Sequence, residues 1–188
     1  MSVQTRSELQ ASAATITSET TAGANTAARV GGLFDDLADT ATLDSERGYA
    51  SVATASDRTF ATTNATWVQL LIQTGNNILS SSNFTRVATI AGPSITYTGT
   101  LSAAIRVSAN LTFSGGNNQR YVWAIYKNGA IIISSETSVM LTHSDGHQLI
   151  LETFLIANTN DAFTIFVNSL DGSNTITITS ISFNAHTL

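Results

Sequence analysis

Cysteine is absent from the 188 residues, proline occurs once, at Pro93, and Lys127 is the sole lysine. Without cysteine there is no disulfide framework, no thiolate metal site and no cysteine nucleophile. Charged residues make up 11% of the chain, and 8 Lys plus Arg stand against 13 Asp plus Glu. A net charge of -5 leaves no basic patch to neutralise a run of phosphates, so nucleic acid is not an expected partner. No run of about 18 apolar residues occurs and the first residues lack the apolar core of a secretory signal, so neither membrane insertion nor export is expected.

What is present is apolar and hydroxylated. Hydrophobic residues make up 43% of the chain, enough for a packed core. Ser and Thr together supply roughly a quarter of it, a composition that suits strands and turns better than helices.

Composition shifts near residue 60. Before it, Leu9, Ala13, Ile16, Thr20, Gly23, Ala27, Val30, Phe34, Leu37 and Ala41 follow one another in alternating steps of four and three, a heptad seam. Thr20 and Gly23 weaken the seam, and Gly31-Gly32 argues for a kink, so two helices or one interrupted helix are expected. So narrow a seam needs copies of itself or a docking partner to be stable. The reading is a helical, coiled-coil-like segment over 1–43 that trimerises or attaches to a larger particle, with Leu9, Ile16, Val30, Phe34 and Leu37 as its stalk positions; packing back onto the following domain is the alternative. Residues 44–65 show neither period and read as a linker.

From Thr66 to the C-terminus the signal is strand after strand. Ile105 to Phe113 alternates apolar and polar, the pattern of a sheet with one wet face, and a one-residue slip would bury Arg106. Tyr121 to Lys127 differs: Tyr121, Trp123 and Ile125 share one face, and Val122, Ala124 and Tyr126 share the other. Leu149 to Ile156 and Phe163 to Val167 are two-sided as well, with Phe154 and Phe166 opposite Leu151 and Ile165. In a sandwich one face meets the core, which leaves the second for another subunit, so Tyr126, Phe154 and Phe166 are the candidate subunit-contact residues of the head. Asn128-Gly129, Asp145-Gly146 and Asp171-Gly172 mark three hairpin turns. Ile176 and Ile178 have a parity that Ile181 and Phe183 reverse, which places a bulge near Thr179-Ser180. Roughly eight to ten strands in about 120 residues is the scale of a jelly roll.

A search for chemistry finds little. His143 and His147 flank one turn, without the third ligand that a zinc site needs. No Gly-x-Ser-x-Gly elbow occurs, and Ser114-Gly115-Gly116-Asn117-Asn118 lacks the lysine and helix start of a phosphate cradle. Few acids fall among the strands, chiefly Glu136, Asp145, Glu152, Asp161 and Asp171, and most of those sit at turns. Neither an enzyme nor a metal or other cofactor is expected. Trp67, Asn117, Asn118, Gln119 and Arg120 are the candidate receptor contacts, since polar loops with an aromatic suit sugar or protein surfaces; the plainer alternatives are strand-edge packing for Trp67 and a solvated turn for the Asn run.

The stretch Ile95-Thr96-Tyr97-Thr98-Gly99-Thr100, then Ile105 to Phe113, Ser114 to Gln119 and Ala124-Ile125-Tyr126-Lys127-Asn128-Gly129 resembles the tumour-necrosis-factor-like (complement-head-like) jelly rolls at the C-termini of bacteriophage fibres and spikes. Gly23 to Leu37 looks like an element of phage structural proteins. The resemblance implies a mainly β chain with an antiparallel β-sandwich jelly roll over 66–188, assembled as a homotrimer with one sheet of each subunit facing the threefold axis. It further implies a structural virion protein, a head or tail fibre or spike on the virion surface, assembled in the host cytoplasm. Such a protein would join a capsid or tail protein through its N-terminal segment and meet a host-surface glycan or protein through its head. A non-viral bacterial adhesion or interaction module of the same fold is the alternative.

Overall fold

The computed structural model describes residues 48–188 apart from 55–56, 73–76, 81–82, 90–91 and 143–145, together with Ala11 and Ala14. The chain divides between Glu46 and Arg47 into two units, and the second is described below. The heptad positions Leu9, Ile16, Val30, Phe34 and Leu37 lie outside the described residues.

Two antiparallel sheets build the unit. Sheet I runs in the order β11 (His147–Ala157), β7 (Ala103–Ser114), β13 (Thr175–Thr187), β1 (Tyr49–Thr54), β4 (Asn77–Ser80), with β2 (Arg58–Ala61) also paired to β13. Sheet II runs β10 (Thr137–Leu141), β8 (Gln119–Lys127), β12 (Ala162–Ser169), β6 (Gly92–Tyr97), β5 (Phe84–Thr89), with β3 (Trp67–Gln69) on β12 and β9 (Ala130–Ile131) on β8. From β6 onward the chain passes repeatedly from one sheet to the other, so strands adjacent in sequence face each other across the core, as in a jelly roll.

The alternation in the sequence becomes the core. Ile105, Val107, Ala109, Leu111 and Phe113 of β7 point inward and meet Tyr121, Trp123 and Ile125 of β8 together with Phe163, Ile165 and Val167 of β12. Phe113 stands 4.7 Å from Trp123, centroid to centroid. The bulge is where the parity reversal puts it: β13 pairs Ile178 with Phe113 and Ser180 with Thr112, and the extra residue turns Ile181 and Phe183 back to the core.

Two expectations need correction. Residues 44–65 are not a linker throughout, because 49–54 and 58–61 are strands β1 and β2, both on β13. The head thus begins well before residue 66. Short strands rich in Ala, Ser and Thr carry too weak an alternation to be read alone; Ala50, Val52 and Phe60 are their buried positions, and β13 supplies the rest of the order. Of the three hairpin signals only Asn128-Gly129 closes a hairpin, joining β8 to β9 with φ of 52° and 79° at its two residues. Asp171-Gly172 joins β12 of sheet II to β13 of sheet I, and Asp145-Gly146 lies between β10 and β11, again in different sheets. Turn residues encode the reversal of direction but not the sheet that receives the next strand. His147 opens β11, and His143 lies outside the described residues.

Candidate functional site

Among the described residues the outward face of sheet I is open along β11. Leu149, Leu151 and Thr153 of edge strand β11 point to the core, which turns Ile150, Glu152, Phe154 and Ile156 outward. Ile150 is 67% exposed, Phe154 61% and Ile156 58%. Moving across the face, Ile150 registers with Asn110 and then Ser182, Glu152 with Ser108 and then Asn184, and Phe154 with Arg106 and then His186. Ala53, Ser51 and Tyr49 continue these three rows on β1. Large apolar side chains therefore form a ridge along one edge, beside two rows of small uncharged ones and a third that carries Arg106, His186 and the 48% exposed Tyr49. The face's two full charges among the described residues neutralise each other, since Arg106 Nε donates to Glu152 Oε1, and the guanidinium lies 6.0 Å from the Phe154 ring centre.

The outward face of sheet II is buried along β8 at Val122, Ala124 and Tyr126, while Met140 of β10 stays 58% exposed at its edge. β3 runs alongside β12 and pairs Trp67 with Asn168, which lays the indole against Tyr126 at 5.7 Å in an edge-on contact. Tyr126 in turn stacks on Phe166 at 4.0 Å. Tyr126 is left 8% exposed, and burial raises the pKa of its hydroxyl, with the negative charge of Glu136 adding to the shift. The second apolar face of β8 thus finds cover within one subunit, so the burial of Tyr126 calls for no neighbour. Phe166 shares this cluster, and of the three head-interface candidates Phe154 alone stands on the open face. Trp67 is half-buried at a strand edge, where its ring serves packing. Beside it Asn168 is nearly buried, and its Oδ1 has no hydrogen-bond partner.

The loops form two clusters at opposite ends of the sandwich. At the end opposite Gly48, 115–118 and 170–174 are tied to 62–64: Asn174 Nδ2 donates to Gln119 Oε1 at 2.8 Å, the Arg120 N–H to Asp171 Oδ2 at 2.8 Å, and the Asn64 N–H to Ser173 Oγ at 3.1 Å. The Gly116 N–H donates to the Tyr121 hydroxyl, and a Cβ on Gly116 would come within 2.8 Å of Asn174 Oδ1, so this close approach requires glycine. The Gln119 side chain and the Arg120 backbone are therefore engaged in holding the loop, while the Arg120 side chain is 52% exposed with its guanidinium 3.8 Å from Asp171 Oδ1. Asn117 and Asn118 are exposed at its tip, with Asn118 at φ 55°. A tip held by so many bonds loses little further entropy on binding a partner.

At the Gly48 end, Asp161 organises the turn between β11 and β12. Its Oδ2 lies 2.6 Å from Lys127 Nζ and accepts the Asn158 N–H at 2.7 Å, while Oδ1 accepts Asn128 Nδ2 at 2.6 Å. Burial pushes its pKa up, but the Asn158 N–H, Lys127 and Asn128 outweigh that and hold the carboxyl below its ordinary value. Among the described residues no three His, Asp or Glu side chains gather as a metal site would need.

No protein-family model matches this chain, and no curated protein sequence does. Solved structures similar to it include the PRD1 vertex protein P5, at 12% identity and a TM-score of 0.41, covering 75% of this chain and 96% of that one. Eiger TNF from S. frugiperda is similar at 9% identity and a TM-score of 0.40, covering 75% of this chain and 91% of its own. The sandwich fold itself stands on the strand order and register above.

The structure adds Ile150 and Ile156 to Phe154 on the open face. Their signal is in the sequence, because all three share one parity on β11. It is easily passed over, since the opposite parity is apolar as well. Trp67 and the loop tip are not brought together: Trp67 registers with Asn168, and Arg120, one outward position further along β8, lies between that row and the loop.

Proposed function

We propose that this chain is a structural virion protein of a bacteriophage, a trimeric fibre or spike whose jelly-roll head is displayed on the virion surface for contact with a host-surface glycan or protein. The observation that carries the reading is the open face of sheet I. A ridge of Ile150, Phe154 and Ile156, each more than half exposed, forgoes about 1–2 kcal/mol per side chain that full burial would return. The strands beside it carry mostly small polar side chains, the half-exposed Tyr49 and a self-neutralised Arg106–Glu152 pair, which fits a copy of the same apolar ridge better than a charged partner. A ridge laid on those strands is a head-to-tail contact, and repetition of such a contact about an axis closes a ring. The resemblance of 95–129 to the trimeric heads of phage fibres supplies the number three and the virion setting. In this reading the heptad segment over 1–43 trimerises or joins a capsid or tail protein, and Asn117 and Asn118 lead the receptor contact. No chemistry is assigned to the head, and no cofactor.

Light scattering on the purified protein tests the assembly: three times the chain mass is expected, and a stable monomer at micromolar concentration would overturn it. Detection of the chain in purified particles tests the setting. Its absence there, with the trimer intact, would leave the non-viral adhesion module.

A further inference from the structure

Asn128-Gly129 is the single Asn-Gly pair in the sequence. Both residues adopt positive φ, the geometry that a two-residue hairpin turn demands. Asn128 is bound at both ends of its amide, with Nδ2 donating to Asp161 Oδ1 at 2.6 Å and Oδ1 accepting the Ala162 N–H at 2.8 Å. The Asn128 N–H also donates to the Ala162 carbonyl at 2.9 Å, and beyond these bonds the turn tip faces solvent. Both residues are exposed, and a Cβ on Gly129 would meet nothing within 4 Å. A glycine after asparagine leaves its backbone nitrogen unshielded toward the side-chain carbonyl, so little besides the Asp161 and Ala162 bonds keeps the two groups from reacting.

We propose that Asn128 is a deamidation site of this head, restrained by its bonds to Asp161 and Ala162, and that its conversion undoes the turn those bonds hold. The Gly129 nitrogen gives up its proton and bonds to Asn128 Cγ; the Cγ–Nδ2 bond breaks, and ammonia leaves carrying that proton. Water then opens the five-membered imide at one of its two carbonyls. One opening gives aspartate at 128, the other an isoaspartate linkage that runs the backbone through the side chain. Nothing is oxidised or reduced, and water is the sole co-reactant. An ionised aspartate only accepts hydrogen bonds, so the donor to Asp161 is lost and a second carboxylate faces the Oδ1 side of one already paired with Lys127 through Oδ2. The isoaspartate adds a backbone atom to a turn whose length sets the β8/β9 register.

The test is peptide mapping of the full chain aged in mildly alkaline buffer at physiological temperature, folded and in urea. In urea, position 128 is expected to convert ahead of every other asparagine. In the folded protein it should slow by about tenfold or more, the factor that leaving a charge-assisted bond of ordinary strength imposes. Asp161→Ala should return most of that factor in the folded chain, and Asp161→Asn makes the same comparison if the alanine variant does not fold. Asn128→Asp should unfold at lower urea than the parent. Equal rates folded and unfolded, a rate unmoved by both Asp161 variants, or a parental urea midpoint for Asn128→Asp would each overturn the proposal.

Discussion

The outward faces of the two sheets start from the same kind of sequence and end differently. Strands β8 and β12 of sheet II and β11 of sheet I all carry apolar residues at both parities. On sheet II the second set of β8 is buried within the chain, and Trp67 of β3 stands edge-on to Tyr126, which stacks on Phe166. On sheet I nothing in the described chain lies over Ile150, Phe154 and Ile156, and they remain more than half exposed. An apolar strand face records that cover exists somewhere. Whether the cover is the same chain or another depends on where a distant segment such as β3, with Trp67, is routed.

Substitutions that act on one face and spare the other break or sharpen this contrast. Tyr126→Asp places an unpaired charge beside Trp67 and should cost the fold several kcal/mol, on the order of 3 or more, read as a fall in the urea midpoint; a parental midpoint would mean that the sheet II face is not buried at Tyr126. Trp67→Ala removes the ring that meets Tyr126 edge-on. As the ring is half-buried, a loss of about 2 kcal/mol is expected, below the range for a fully buried tryptophan, and a loss within about 0.5 kcal/mol would make the contact incidental.

Smaller and pH-dependent is the contribution of Asp161, whose carboxyl has a lower pKa folded than unfolded. Its stabilisation is complete above the unfolded value of about 3.9 and is lost as pH falls from there through the folded value. Asp161→Asn should cost about 1–2 kcal/mol at neutral pH through the weakened bonds to Lys127 and the Asn158 N–H, and should flatten the acid limb of stability against pH. An unchanged acid limb would take that limb away from Asp161.

Phe154→Asp should have the smallest effect on the fold, within about 0.5 kcal/mol, because the ring already stands in water. Its effect should appear in assembly, with light scattering reporting the mass of one chain while circular dichroism stays parental. A variant that keeps the parental mass would place the subunit contact elsewhere.

Much of the head was legible because its information is local. The alternation of Ile105 to Phe113, the left-handed pair Asn128-Gly129 and the parity break at Thr179-Ser180 each reflect a constraint that acts within a few residues. The strands at 49–61 were not legible, since their few apolar positions become order only when β13 offers an edge. Nor was the division of roles among the loop residues: the Gln119 side chain and the Arg120 backbone look no different from the Asn pair beside them until Asn174 and Asp171, more than fifty residues away, are seen to bind them.

By itself the sequence determined the class of fold, the inward parity of its long strands and the lack of a basic surface, because periodicity, turn chemistry and net charge are properties of neighbours and of sums. Tertiary structure alone decided which sheet each strand joins, which apolar face Trp67 packs against and which is left open. Those outcomes depend on long loops closing, and loop closure depends so weakly on length that no local pattern records where a segment will land.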